Sequence, residues 1–199
     1  MKSAIVLAGG RSSRFGEMDK SLLRIGNKTM LECMIGNLSE IVDEIIIVVS
    51  EVEQGEGVIS TIGRVSIAYD SIVGFGPIAG ILAGLKSAKS EYVVTLACDM
   101  PFVNPDVVEL LFSLAEGYDA AVPKWADGNF EPLHAVYRRE SMVIECERAI
   151  QRGERAIMAP LRALNVRYVP IERDIQRIDA ELRTFVNVNT PDDLEGLSI

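Results

Sequence analysis

The chain has 199 residues, 48% of them hydrophobic and 25% charged, with a formal net charge of -9. That length and apolar content suit one folded domain with a sizeable core and exclude a disordered or fibrous chain. The acidic balance argues against general binding to nucleic acid, and no apolar run is long enough to cross a bilayer.

Met1-Lys2-Ser3 leads straight into an apolar run and leaves no room for a signal peptide, so a cytoplasmic location is expected. Three widely separated cysteines, Cys33, Cys98 and Cys146, form no Cys-x-x-Cys pair and an odd count. A zinc site or a disulfide framework is therefore not expected. Cys33 and Cys146 read as small buried hydrophobes.

Ala4-Ile5-Val6-Leu7 has the length of a buried strand. It breaks into Ala8-Gly9-Gly10, followed by Arg11, Arg14 and then Asp19-Lys20. Glycines at a strand end let the backbone approach a ligand, and exposed N–H groups there favour phosphate. Arg11, Arg14 and Lys20 supply the charge that a triphosphate needs. The spacing fits neither a Walker A loop nor a Gly-x-Gly-x-x-Gly dinucleotide fingerprint.

Beyond this loop, apolar runs alternate with helical patterns, which predicts a mostly parallel sheet with helices on both faces. Thr29 with Glu32 predicts a capping box for a helix running to Leu38. Glu44–Val49 reads as a central strand. Residues 50–63 are polar and glycine-dotted and read as a loop with one or two helical turns. Val65–Tyr69 is the next strand, ending in Asp70. Gly74-Phe75-Gly76-Pro77 feeds a helix rich in small residues, Ala79, Gly80, Ala83 and Gly84, which suits close packing or approach to a ligand. Tyr92–Cys98 is a strand ending at Asp99-Met100-Pro101, and Asn104 caps a helix with Pro105 at its first position. Ala120–Pro123 is a strand, and Phe130–Arg138 an extended, antiparallel segment. A helix over Met142–Arg152 follows, then a second from Gly153 to about Leu164 and a strand over Val166–Val169. Phe185–Pro191 reads as a strand end turning into a last helix, with Thr190 as its cap and Asp192 and Asp193 complementing its dipole. No repeat, linker or low-complexity tract interrupts this order, so a single domain over residues 1–199 is expected.

Ligands of open α/β sheets bind beyond the carboxyl ends of the strands. The polar residues there are the loop from Ala8 to Lys20, Asp70, Asp99, Asn187 and Asn189. Asp99, a carboxylate directly after a buried strand, suits Mg²⁺, which takes one or two carboxylates and completes its shell with phosphates and water. Asp70 either contacts a nucleotide or bonds its own loop. His134, the only histidine, either faces a second substrate or packs in the core. Trp125 either stacks on a ligand or covers a loop.

Leu7-Ala8-Gly9-Gly10-Arg11-Ser12-Ser13-Arg14-Phe15-Gly16, closing on Asp19-Lys20-Ser21-Leu22-Leu23, resembles the signature loop of the molybdenum cofactor guanylyltransferase family. So do Asp70, Gly76-Pro77-Ile78-Ala79-Gly80, Cys98-Asp99-Met100-Pro101, Glu131-Pro132-Leu133-His134-Ala135, Gly153-Glu154-Arg155 and Phe185-Val186-Asn187-Val188-Asn189-Thr190-Pro191, in the same order. The resemblance implies a Rossmann-like three-layer sandwich of the nucleotide-diphospho-sugar transferase type. It implies transfer of GMP from Mg-GTP to the terminal phosphate of molybdenum-bound molybdopterin, with release of pyrophosphate. Leu7, Ala8, Gly9, Gly10, Lys20, Asp70, Gly76, Gly80 and Asp99 would then contact the nucleotide. Arg14, Lys20 and Asp99 would act in catalysis, Asp99 would hold Mg²⁺, and Asn187 and Asn189 would lie on the molybdopterin side. Transient contact with proteins of molybdenum cofactor biosynthesis, or with proteins that accept the cofactor, is also implied. Phe15 stands where the family often has Met, and Asn27-Lys28-Thr29 replaces a Gly-Lys-Pro turn. These departures leave a sister specificity open: cytidylyl transfer to the same pterin, or nucleotidyl transfer to another small phosphate. A nucleotide-binding module without turnover is disfavoured by the presence of Asp99 and Lys20.

Overall fold

The computed structural model describes residues 1–8, 23–62, 65–70, 72, 74–188 and 193. Arg14, Lys20, Gly9, Gly10, Asn189, Thr190 and Asp192 lie outside the described residues.

The described strands are β1 (Ser3–Leu7), β2 (Arg24–Ile25), β3 (Lys28–Thr29), β4 (Glu44–Val49), β5 (Ser66–Tyr69), β6 (Tyr92–Ala97), β7 (Ala120–Lys124), β8 (His134–Arg138) and β9 (Val166–Pro170). Seven of them form one sheet in the order β5-β4-β1-β6-β8-β7-β9, while β2 and β3 pair as a small antiparallel hairpin. β1 pairs in parallel with β4 and β6, β4 with β5, and β7 with β9. β8 alone runs against both of its neighbours. The mostly parallel sheet with one antiparallel strand is as the sequence pattern predicts.

The described α-helices are α1 (Met30–Leu38), α2 (Val52–Ile62), α3 (Pro77–Ser87), α4 (Pro105–Ala115), α5 (Arg139–Gln151) and α6 (Met158–Leu161). Side chains alternate across a strand, so each strand feeds two cores. Ala4 and Val6 of β1 face a core shared with Leu31 and Met34 of α1 and Val108 and Leu111 of α4. Ile5 faces the opposite core, with Ile81 and Leu85 of α3 and Met142 and Cys146 of α5. The result is three layers. Burial pushes the Cys146 thiol up to about 12, which makes it an inert core group. Cys33 is only partly buried, contrary to expectation.

Local chemistry explains the element starts. Thr29 Oγ1 accepts from Glu32 N–H at 3.1 Å, and Glu32 Oε2 accepts from Thr29 N–H at 2.6 Å, the predicted capping box. Asn104 Oδ1 accepts from Asp106 N–H at 2.9 Å and opens α4 on Pro105. Three segments depart from expectation. Residues 52–62 form a full helix rather than a loop. Its Gly55 is a packing residue, since a Cβ there would lie 2.9 Å from the Tyr69 hydroxyl. The helix after Gly153 spans only Met158–Leu161. Phe185, read as the start of a strand end, instead closes a 3₁₀ turn over Arg183–Phe185, entered through Leu182 at φ 53°.

Two features of the fold are directly testable. A Cβ on Gly84 of α3 would lie 2.7 Å from Ile5 Cγ2, and Ile5 is fully buried in β1. Gly84→Ala should therefore destabilise the protein by about 1–2 kcal/mol net, overpacking outweighing the gain in helix propensity; urea unfolding at equilibrium reads this. His134, first residue of β8, is wholly buried, which pulls its imidazole down to about 3. The unfolded chain takes up that proton below about pH 6.5 while the folded chain refuses it. Stability should thus fall with pH between those values, with a contribution from this residue of about 1.4 kcal/mol per pH unit. In denaturant curves taken from about pH 7 to about pH 4, His134→Gln should lose stability less steeply than the parent.

Candidate functional site

The site is built where β1 ends. Ala8 N–H donates to Val48 O of β4 at 2.9 Å, and Cys98 N–H, just past β6, donates to Leu7 O at 3.1 Å. Leu7 and Ala8 are therefore fixed on both flanks. Ala8 O accepts from the side-chain amide of Gln54 in α2 at 2.8 Å. Gly9, Gly10, Arg14 and Lys20, predicted to meet phosphate, follow this anchored point in the chain and lie outside the described residues.

On the β4–β5 side, Asp70 directly follows β5, and its N–H donates to Val49 O at 2.8 Å. Its Oδ1 accepts from Ile72 N–H at 3.0 Å, so one oxygen organises its own turn. Its other oxygen, Oδ2, faces Gly80 of α3: a Cβ on Gly80 would lie 3.9 Å from it and 3.3 Å from Leu7 Cδ2. Three residues singled out in the sequence, Leu7, Asp70 and Gly80, thus meet from a strand, a loop and a helix. Gly74 and Gly76 have φ of +86° and +58°, a region that L side chains rarely adopt. Gly76 stands at the start of α3 without a side-chain cap, followed by Pro77. The amide end of an eleven-residue helix therefore opens toward the same edge.

On the other side of β1, Leu7 is in register with Ala97, so Asp99 lies just beyond the β1 terminus. Asp99 O accepts from Val188 N–H at 2.8 Å. That bond brings the segment of Asn187 alongside Asp99, as expected. Asn187 is exposed, and its amide donates to Phe185 O at 3.4 Å. Among the described residues no group of three or more His, Cys, Asp or Glu could hold a metal by itself. A lone hard-oxygen ligand at a strand end suits a cation whose shell is completed by substrate phosphates.

Two open readings resolve into structural roles. Trp125 donates from Nε1 to Glu131 Oε1 at 2.7 Å and meets Phe185 edge-on at 5.5 Å between ring centroids. His134 Nε2 is hydrogen-bonded to Thr184 Oγ1 at 3.2 Å, and its ring lies 5.0 Å from that of Phe185. Both rings support the segment that leads to Val188. Burial raises the carboxyl of Glu131, and the Trp125 N–H only partly offsets this.

Three contributors carried no assigned role in the sequence. Gln54 sits in the segment read as a loop. Thr184 lies just ahead of the Phe185 motif and gives no periodic signal. Arg155, part of the quoted Gly153-Glu154-Arg155, places its guanidinium 5.9 Å from the Phe75 ring in the glycine loop. An arginine two residues after Gly153, itself at φ +75°, is the available clue.

Comparison with known proteins places the chain in a family. Residues 4–166 match the MobA-like NTP transferase domain. A probable molybdenum cofactor guanylyltransferase of Methanosarcina mazei is 44% identical over 98% of this chain and 89% of its own length. A protein of the same description from Methanosarcina acetivorans is 42% identical, with coverage of 98% and 89%. The crystal structure of molybdopterin-guanine dinucleotide biosynthesis protein A from Archaeoglobus fulgidus superposes with a TM-score of 0.82 at 38% identity, covering 98% of this chain and 95% of that one. The chain is a nucleotidyltransferase that belongs to the MobA-like NTP transferase family and, within it, to the molybdenum cofactor guanylyltransferases.

Proposed function

We propose that the protein transfers GMP from GTP to the terminal phosphate of molybdenum-bound molybdopterin at the edge formed by Leu7, Asp70, Gly80 and Asp99. The observation that carries this reading is the convergence of these four residues on the anchored end of β1. In the reaction an acceptor phosphate oxygen bonds to the α-phosphorus of GTP. The bond from that phosphorus to the bridging oxygen breaks, and pyrophosphate departs with the electron pair. Such transfers depend on positioning and on electrostatic stabilisation more than on covalent chemistry.

Each residue has a part in this reading. Leu7 and Ala8, whose backbone groups are tied to Cys98, Val48 and Gln54, would anchor the point from which Gly9 and Gly10 present backbone to the triphosphate, and Gly76 and Gly80 keep the start of α3 open to it. Asp70 keeps one oxygen for its turn and offers the other to the nucleotide. Arg14 and Lys20 hold the phosphates and the departing charge. Asp99 would hold Mg²⁺, which, when bound, offsets charge on the triphosphate and the leaving group. Asn187, one residue from the bond that ties Val188 to Asp99, would face the acceptor together with Asn189. Among the described residues no helix is long and apolar enough to cross a membrane.

Thermal unfolding with Mg²⁺ plus GTP, CTP, ATP or UTP tests the base. A nucleotide at a hundred times its dissociation constant should add about 2.7 kcal/mol to stability. GTP should give the largest rise, and pyrophosphate release with molybdopterin should follow the same order; a preference for CTP would reassign the donor. Lys20→Ala should lower turnover by about 10²–10³-fold, and Asp99→Asn should do so by at least as much with its Mg²⁺ dependence altered. A folded Lys20→Ala enzyme with unchanged turnover would reduce that lysine to surface charge.

A further inference from the structure

The loop from Asp99 to Asn104 joins β6 to α4 and carries the carboxylate assigned to the metal. One short segment touches both of its ends. At the first end, Val188 N–H donates to Asp99 O at 2.8 Å. At the second, Asn104 N–H donates to Thr184 Oγ1 at 3.1 Å. Thr184 is fully buried and is held in turn. Its own N–H donates to Asp179 Oδ2 at 2.8 Å, and its hydroxyl is hydrogen-bonded to His134 Nε2. His134 sits opposite Leu96 in the sheet, one residue short of the end of β6. The buried pair thus links the sheet, the Asp99 loop and the 184–188 segment.

The geometry points to His134 and Thr184 as positioning residues that set the placement of Asp99: they clamp the Asn104 end of its loop and hold the segment whose Val188 ties down the Asp99 end. This inference rests on the reading of Asp99 as the metal ligand. His134 touches no substrate; it orients Thr184, and Thr184 fixes where α4 begins. Outer partners of this kind typically change metal affinity by about 10–100-fold when removed. A change in side-chain shape alone would alter stability without that effect.

Two measurements test the pair, neither of which needs turnover. The first is the dissociation constant of Mn²⁺ in the presence of a non-hydrolysable GTP analogue, read by electron paramagnetic resonance. The second is amide hydrogen exchange at Asn104 and Val188 in the free protein. Thr184→Val keeps the shape and deletes the hydroxyl; it should weaken Mn²⁺ binding by about 10–100-fold and speed exchange at Asn104. Thr184→Ser should stay close to the parent in both. His134→Gln, whose amide can reach Thr184, should stay closer to the parent than His134→Leu. If His134→Leu does not fold, the two Thr184 variants decide alone. Asp99→Asn is run beside them. Metal affinity lost in Asp99→Asn but retained in Thr184→Val overturns the positioning pair alone. Affinity retained in Asp99→Asn removes the metal assignment of Asp99, and this inference falls with it.

Discussion

The site depends on β1 being hydrogen-bonded on both sides up to its final residue. Ser3, Ala4, Ile5 and Val6 are fully buried, so their backbone groups have no water to turn to. An unmade bond there would cost about 1–3 kcal/mol, far more than a made bond contributes net. The strand therefore keeps its pairing to the end, with Ala8 tied to Val48 and Leu7 tied to Cys98. Everything polar at the edge is placed relative to that fixed terminus. The close approach of α3 follows from the same strand. Gly84 lets the helix sit against Ile5, and Gly80 lets it pass Leu7 one turn earlier. A larger residue at either place would lift the helix and carry the Gly76 end away from Asp70.

Much of this was legible in the residues because the signals were local. The capping box of Thr29 and Glu32, the Asn104–Pro105 start and the apolar runs of β1, β4 and β6 all report interactions within a few positions. The site residues were legible for a related reason. Asp70 and Asp99 interrupt apolar runs at their carboxyl ends, where a parallel sheet gathers its ligands. What stayed hidden was set by tertiary contacts. The two glycines of α2 read as loop residues, yet Gly55 is there to clear Tyr69 on β5, a neighbour that no local pattern reveals. Phe185 opens an apolar stretch that reads as a strand end, yet it closes the 3₁₀ turn over Arg183–Phe185. That turn is imposed by the Asp179 carboxylate accepting from Thr184 N–H and by the left-handed Leu182. Cys33 follows the apolar stripe of α1 but lies at its margin beside Lys28 and Asn37, where a cavity of about 830 Å³ opens.

β8 divides the ligand edge into two kinds of wall. Parallel strands deliver their last residues there, which leaves Leu7, Asp70 and Asp99 at the mouth. An antiparallel strand delivers its first residue instead, so the edge also receives His134 and the loop before it, with Trp125 and Glu131. Those residues are committed to one another: Trp125 to Glu131 and Phe185, His134 to Thr184 and Phe185. The polar groups on this side are therefore a buttress for the 184–188 segment rather than a second reactive centre. On this side Val188 reaches Asp99 by a backbone bond.

Charge explains why the arrangement calls for cations. The chain carries a net charge of -9, and both carboxylates at the mouth, Asp70 and Asp99, add to the negative side of the edge. A phosphate laid about 4 Å from a carboxylate meets a repulsion of about 4 kcal/mol at an effective dielectric of 20. A triphosphate facing Asp99 unaided would therefore be expelled. With a divalent cation between the two, the same carboxylate changes from an obstacle into an anchor. Under the metal role proposed for Asp99, its charge favours the polyphosphate in the metal-bound form over the bare one.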